Sequence, residues 1–265
     1  MGFQYAGSLT GTAPIVRKFQ SGESMYVGQL VMSGVTGGLG AHVQILDAPT
    51  LLKEDVLNPI GMVTGIVDGS RAWTAAVSGT AQYGEGTTYT ATKSVIADTG
   101  VSEVEVTYIL PMNTLIRAPI YNTVWGTALT ECVCTTAHAG TVISHTGDAV
   151  TDMMEDHTTI YCRSGANRGH YRVVTGTTTT AQTVTQSFPY TTALGDVFVV
   201  CAGVLGNSYM DIGTGCDCID GDNALAASIQ VFYHEINLEE SGKEYAVFSL
   251  LNFGHGHGTY DAIST

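Results

Sequence analysis

Charge is scarce in this 265-residue chain: only 13% of its residues are Asp, Glu, Lys or Arg, about half the usual share of a soluble domain. Thr, Ser, Asn and Gly must therefore fill much of its surface. Basic residues are the scarcest. Ten Lys and Arg stand against twenty-four Asp and Glu, a formal charge of −14, and the ten are scattered from Arg17 and Lys18 to Lys243. Holding a phosphate backbone takes clustered cations that displace counterions, so the sequence argues against a nucleic-acid partner and against an anionic membrane. Long apolar runs are missing too. No segment approaches the roughly 18 to 20 apolar residues of a membrane helix.

Residues Met1 to Gln20 have neither a charged start nor an apolar core, unlike a secretory signal. The expectation is a protein made and folded in a cytoplasm, where its six cysteines start reduced. Catalytic signatures are absent as well: no Gly-x-Ser-x-Gly elbow, no phosphate-binding Gly-x-x-x-x-Gly-Lys-Ser/Thr loop and no His-Glu-x-x-His. Gly37 to Gly40 is glycine-rich but lacks the lysine. No nucleophile, base and orienting group can be assigned together, and no enzyme activity or cofactor is expected.

Apolar residues, by contrast, make up 44% of the chain, and their spacing reads as strand. In Ser102 to Leu110, Val104, Val106, Tyr108 and Leu110 alternate with Glu103, Glu105 and Thr107, the two-residue period of a strand with one buried face. Further candidates are Met25 to Met32, His42 to Leu46, Ile60 to Val67, Trp73 to Val77, His157 to Arg163 and His170 to Val174. Val197 to Val204, Ser228 to Ile236 and Tyr245 to Leu251 complete the set. Several are apolar without interruption, which fits strands buried on both faces. Turn signals such as Gly37-Gly38, Asp68-Gly69, Gly84-Glu85-Gly86 and Asp220-Gly221-Asp222 separate them. Many short strands with tight turns predict an all-β protein of barrel or sandwich domains with minimal helix. The one helix candidate is Pro49 to Leu57. Thr175 to Thr185 reads either as an exposed strand or hairpin or as a loop.

A boundary near Ala118-Pro119-Ile120 divides the chain into residues 1–118, a barrel-like domain with a flexible arm over Met1 to Pro14, and residues 119–265, a second β domain. The arm is a candidate for ordering on docking, against a simple disordered terminus.

Two Cys-x-Cys pairs, Cys132-Val-Cys134 and Cys216-Asp-Cys218, are the most suggestive chemistry. Residues two apart on a strand share a face, so two pairs can supply four thiolates to a tetrahedral metal. The bland alternative is small buried hydrophobes, with a disulfide formed after release from the cell. His255 and His257 offer two more ligands, though glycines on both sides of each suit a flexible tail. The acidic group Asp211, Asp217, Asp220 and Asp222 lacks the spacing of an EF-hand loop and reads as a solvated turn.

Several segments resemble tailed-bacteriophage virion proteins, above all head decoration or cement proteins. Ser21-Gly-Glu-Ser-Met-Tyr-Val-Gly-Gln-Leu-Val is similar to the opening of β-barrel decoration proteins, and Ile60-Gly-Met-Val-Thr-Gly-Ile-Val-Asp-Gly looks like the next strand pair of such a barrel. Leu115 to Asn122, Tyr161 to Val173 and Ala193 to Val199 resemble segments of phage structural proteins. The resemblance implies a non-enzymatic role on the outer head surface of a virion assembled in a host cytoplasm, with the major capsid protein as partner and a homo-oligomer, a trimer favoured. It carries no binding residue. Alternatives left open are a tail-tube or major shell protein, a metal-binding module or metal-dependent enzyme built on the Cys-x-Cys pairs, and glycan binding, for which Trp73 and Trp125 offer weak support.

Overall fold

The computed structural model describes residues 2–21, 25–33, 42–45, 59–66, 73–75, 94–96, 103–121, 129, 131–146, 158–202, 206–212, 218–221 and 229–251. Among these the fold is all-β. The first half holds β1 (Gln4–Ser8), β2 (Val16–Ser21), β3 (Met25–Tyr26), β4 (Leu30–Ser33), β5 (His42–Ile45), β6 (Pro59–Ile66), β7 (Trp73–Ala75), β8 (Ser94–Ile96), β9 (Glu103–Tyr108) and β10 (Thr114–Tyr121). The second half holds β11 (Glu131–Cys134), β12 (Val142–Thr146), β13 (Thr158–Cys162), β14 (Tyr171–Thr178), β15 (Ala181–Val184), β16 (Val197–Ala202), β17 (Gly206–Ile212), β18 (Ile219–Asp220), β19 (Ile229–Asn237) and β20 (Tyr245–Leu250). A single 3₁₀ turn, Gly165–Asn167, interrupts the strands. The expected helix over 49–57 lies outside the described residues.

These strands close into a five-stranded barrel, β2-β5-β4-β6-β9, and a six-stranded barrel, β11-β12-β15-β14-β13-β16. Between them in the architecture lies a sheet of order β1-β10-β18-β17-β19-β20, and β10 also pairs with β20. Arg117 on β10 is flanked by Gln4 on one side and Val247 on the other, so the sheet curls until its two ends meet on β10. A small sheet, β3-β8-β7, completes the set.

Uninterrupted apolar runs serve two cores at once, because successive side chains on a strand point to opposite faces. On β4 and β6, Val31 and Val63 fill the five-stranded barrel, while their neighbours Leu30 and Met62 pack outside it against the curled sheet. On β16, Phe198 and Val200 fill the six-stranded barrel, while Val199 and Cys201 turn outward into that same cluster. The curled sheet contributes Ile116, Ile120, Val231, Tyr233 and Phe248. One central apolar cluster therefore joins all three bodies.

The expected boundary at 118/119 falls inside β10, and the curled sheet takes strands from both sides of it. Pro119 fits mid-strand for a specific reason. The Ile120 N–H donates toward the β20 side, to the Glu244 carbonyl, so the missing N–H of Pro119 faces the opposite edge. There β1 pairing stops at Arg117 and β18 pairing begins at Ile120, so no ladder bond is lost.

Residues 2–14, expected to include a flexible arm, instead dock on the protein's own body. β1 pairs with β10, and Phe3 lies buried with its ring edge-on to Phe248 at 6.3 Å between centroids. The Phe3 N–H donates to the Gly28 carbonyl. A Cβ on Gly2 would sit 2.3 Å from that oxygen, so the crossing needs glycine. The threonine run resolves as a hairpin: β14 and β15 pair across Thr178↔Ala181, with alternate side chains of β15 buried.

Candidate functional site

The cysteines come first, as the strongest sequence candidates. Cys132 and Cys134 share one face of β11, as their spacing predicts, and that face is the interior of the six-stranded barrel. Cys162 is also inside. Cys132 and Cys162 both pair with Phe198, from opposite sides, so a whole strand separates them, farther than a disulfide spans. Cys134 donates to the Thr136 carbonyl and Cys162 to the Ser164 carbonyl, each at 2.9 Å. Burial pushes the thiols of Cys132 and Cys162 up to about 11, which keeps them protonated at neutral pH and poor nucleophiles.

Cys218 is buried beside β18, on another body. Cys216, His255, His257, Asp217, Asp222 and Trp125 lie outside the described residues, as do the side chains of Asp211 and Trp73; Asp220 is buried on β18. Among the described residues, no three His, Cys, Asp or Glu side chains gather as a metal site would require.

Other reactive groups are absorbed into structure. Arg163 is buried, bonding Glu131 at 2.7 Å, the Leu238 carbonyl at 2.7 Å and the buried Glu244. It ties the six-stranded barrel to the β19–β20 turn of the curled sheet. His145 is enclosed near Gln182, and burial lowers its pKa, opposed by a bond to the Thr146 backbone. The His138 Nε2 accepts the Ser144 N–H at 3.1 Å, pinning a loop.

One end of the six-stranded barrel is different, because there large apolar side chains are held in water. Tyr190 is 60% exposed and Leu194 is 73% exposed, both on the segment between β15 and β16. That segment is fastened at four points. Asn167, fully buried, brackets the Tyr190 backbone: its amide donates to the Tyr190 carbonyl at 2.8 Å and its oxygen accepts the Tyr190 N–H at 3.0 Å. Thr192 and His138 exchange backbone bonds at 2.9 and 3.2 Å. The Asp196 carboxylate accepts the Ala193 N–H at 2.9 Å and closes the turn that carries Leu194. The Ser164 hydroxyl accepts the Val197 N–H at 2.8 Å. Beneath the loop Phe188 is buried against Phe198, with the Arg172 guanidinium over its ring.

Gly165 makes this arrangement possible. Its φ is +72°, and a Cβ there would lie 2.1 Å from the Asp196 carboxylate, so any side chain would evict the aspartate that shapes the loop.

No family model, curated protein or solved structure matches this chain. Geometry alone therefore bears on the site. Exposed apolar side chains carried on a backbone already held in place spare a partner the cost of ordering that backbone on contact. Sequence reasoning missed Tyr190, Leu194, Asn167 and Asp196. The available signal was an isolated tyrosine and leucine inside the turn-rich run Pro189-Tyr-Thr-Thr-Ala-Leu-Gly-Asp196.

Proposed function

We propose that this chain is a non-enzymatic virion structural protein of a tailed bacteriophage, a decoration or cement protein. In this reading it binds the major capsid protein on the outer head surface, in virions assembled in the host cytoplasm, and works as a homo-oligomer. The observation that carries the docking role is the rigid display of Tyr190 and Leu194 on the six-stranded barrel. The resemblance of short segments supplies the phage context, and two of those segments, Tyr161 to Val173 and Ala193 to Val199, meet at this display through the Ser164–Val197 bond. A shell strained by its packaged genome gains from many added contacts acting together.

The test is cosedimentation of the purified protein with empty capsid shells. The wild type is expected to pellet with shells. Tyr190→Ser combined with Leu194→Ser is expected to weaken binding about tenfold or more while leaving the melting temperature nearly unchanged, since both side chains are solvent-facing. A wild type that ignores shells would defeat the reading, and spontaneous growth into tubes or shells would favour a tail-tube or major shell protein. Stoichiometric metal in the purified, folded protein would favour the metal-binding reading.

A further inference from the structure

The six-stranded barrel encloses one group of polar side chains that the docking role does not use: Thr177, Gln182 and His145. Strand geometry shows that all three face its interior. Val184 and Ile143 belong to the barrel's core cluster. Gln182 lies two residues from Val184 on β15 and opposite Ile143 in the β12–β15 ladder, so it shares their face. His145 lies two residues from Ile143 on β12 and points inward with it. Thr177 stands opposite Gln182 in the β14–β15 ladder, and it faces inward only because of a bulge. Val174 points into the core, and strict alternation would turn Thr177, three residues on, to the outside. The register shift between Val174 and Gly176 inserts one extra residue and brings Thr177 back to the inside.

The three groups meet closely. Gln182 and His145 are buried, and Thr177 is half-buried. The Gln182 amide donates to the Thr177 hydroxyl at 2.9 Å, and the His145 Nε2 lies 3.5 Å from the same amide nitrogen. The His145 N–H donates to the Thr180 carbonyl at 2.8 Å, which fastens β12 to the turn between the other two residues. As a purely structural group the carboxamide is poorly served. Its enclosed oxygen has no hydrogen-bond partner among the described residues, and a buried polar atom left so costs stability.

We propose that Thr177 and Gln182 join as an intramolecular ester, a crosslink that the chain makes in itself once folded. Thr177 Oγ bonds to Gln182 Cδ, the Cδ–Nε2 bond breaks, and the hydroxyl proton leaves with the nitrogen as ammonia. Alcohol and carboxamide give ester and ammonia, with no change of oxidation state. The fold holds the nucleophile against the amide, so a fixed contact replaces a chance encounter. His145 is placed to move the proton. Its ring lies beside the departing nitrogen, and burial, by lowering its pKa, favours the neutral form that can take a proton from a hydroxyl.

The ester has no N–H to satisfy and a weaker acceptor oxygen, so it suits the dry interior better than the carboxamide does. Enclosure keeps water from its carbonyl, and escape of ammonia makes the step one-way. The bond fixes the register of β15, the four-residue strand that joins β12 to β14 and so closes the barrel. The crosslink is independent of Tyr190, Leu194 and shell binding.

Mass spectrometry of the intact, purified full chain tests it. The wild type is expected to be lighter than its sequence by one ammonia. Tandem fragmentation is expected to place that loss within residues 177–182 and to yield no backbone fragments there, because the ester holds both ends of the loop. Hydroxylamine should open the link and leave a hydroxamate at residue 182. Thr177→Val keeps the side-chain shape without the nucleophile and should show the full sequence mass, whereas Thr177→Ser should keep the deficit. His145→Ala should lower the linked fraction severalfold. A wild type of full sequence mass would overturn the inference, and so would a deficit that persists in Thr177→Val. A linked fraction unchanged in His145→Ala would overturn the role given to that ring. Fragmentation of the wild type decides the matter even where a variant fails to fold.

Discussion

The two barrels of this chain are filled in different ways. Five valines, Val31, Val43, Val63, Val104 and Val106, make up the buried interior cluster of the five-stranded barrel, with Phe19 and Ile60 packed against it. The six-stranded barrel encloses Phe188, Phe198, Ile143 and Ile160 beside three cysteines, and seats the polar pair His145 and Gln182. Interior width grows with strand number. A narrow barrel is satisfied by short β-branched side chains that interdigitate, whereas one further strand opens room that aromatics must fill and that polar groups can enter. The wider barrel is also the one that displays Tyr190 and Leu194, at an end where its long connections cross.

The largest effects should separate the barrels by what their interiors lose. Phe198→Ala removes a ring contacted from several strands and should cost about 3–5 kcal/mol. Arg163→Ala should cost a similar ~3–5 kcal/mol by leaving Glu244 buried without its cation, and it acts at the seam between barrel and sheet. Urea unfolding followed by circular dichroism measures both, and a loss below 1 kcal/mol in either would mean the barrel is looser than described. Val63→Ala in the narrow barrel should cost only about 2 kcal/mol, two buried methyl groups and a small cavity.

Acid should act on the wide barrel first. Burial holds the folded-state pKa of His145 below its ordinary value, so the unfolded chain takes up the proton before the folded one. The stability due to the neutral ring is complete above about pH 6.5 and declines as pH falls below it. The opening free energy from hydrogen exchange, with the base-catalysed intrinsic rate divided out, should therefore fall between neutral and mildly acidic pH more at Ile143 than at Val63, and His145→Leu should flatten that difference. An equal fall in opening free energy at both sites would remove the contrast. The smallest effect lies outside both interiors: Met112→Asn relieves a left-handed backbone and should raise stability by about 1 kcal/mol, read as a higher urea midpoint.

Much of the fold was legible in the chain. The alternation in Ser102 to Leu110 became β9, and the runs from Ile60, Val197 and Tyr245 became β6, β16 and β20. Strands with weaker patterns went unread: β1, β10, β11 and β17 mix small, polar and charged residues, and their pairing is set by neighbours far along the chain. The first arm is the clearest case. Met1 to Pro14 shows no strong pattern, yet Phe3 finds a cavity lined by Phe248, some 245 residues on. The two-residue spacing of Cys132 and Cys134 placed both on one face, but nothing local said that the face was the inside of a barrel.

The sequence by itself determined that the described part of this protein is all-β, that several of its valine-, isoleucine- and leucine-rich runs are buried on both faces, and that cationic clusters for nucleic acid are missing. Those properties depend on composition and on the two-residue period of a strand, both local. Tertiary structure alone decided which strands close into which barrel, that the N-terminal stretch serves the central core, and that Tyr190, Leu194 and Met112 stand in water. Exposure and pairing depend on contacts between segments far apart in the chain, and no short-range pattern encodes which distant backbone will supply the partner.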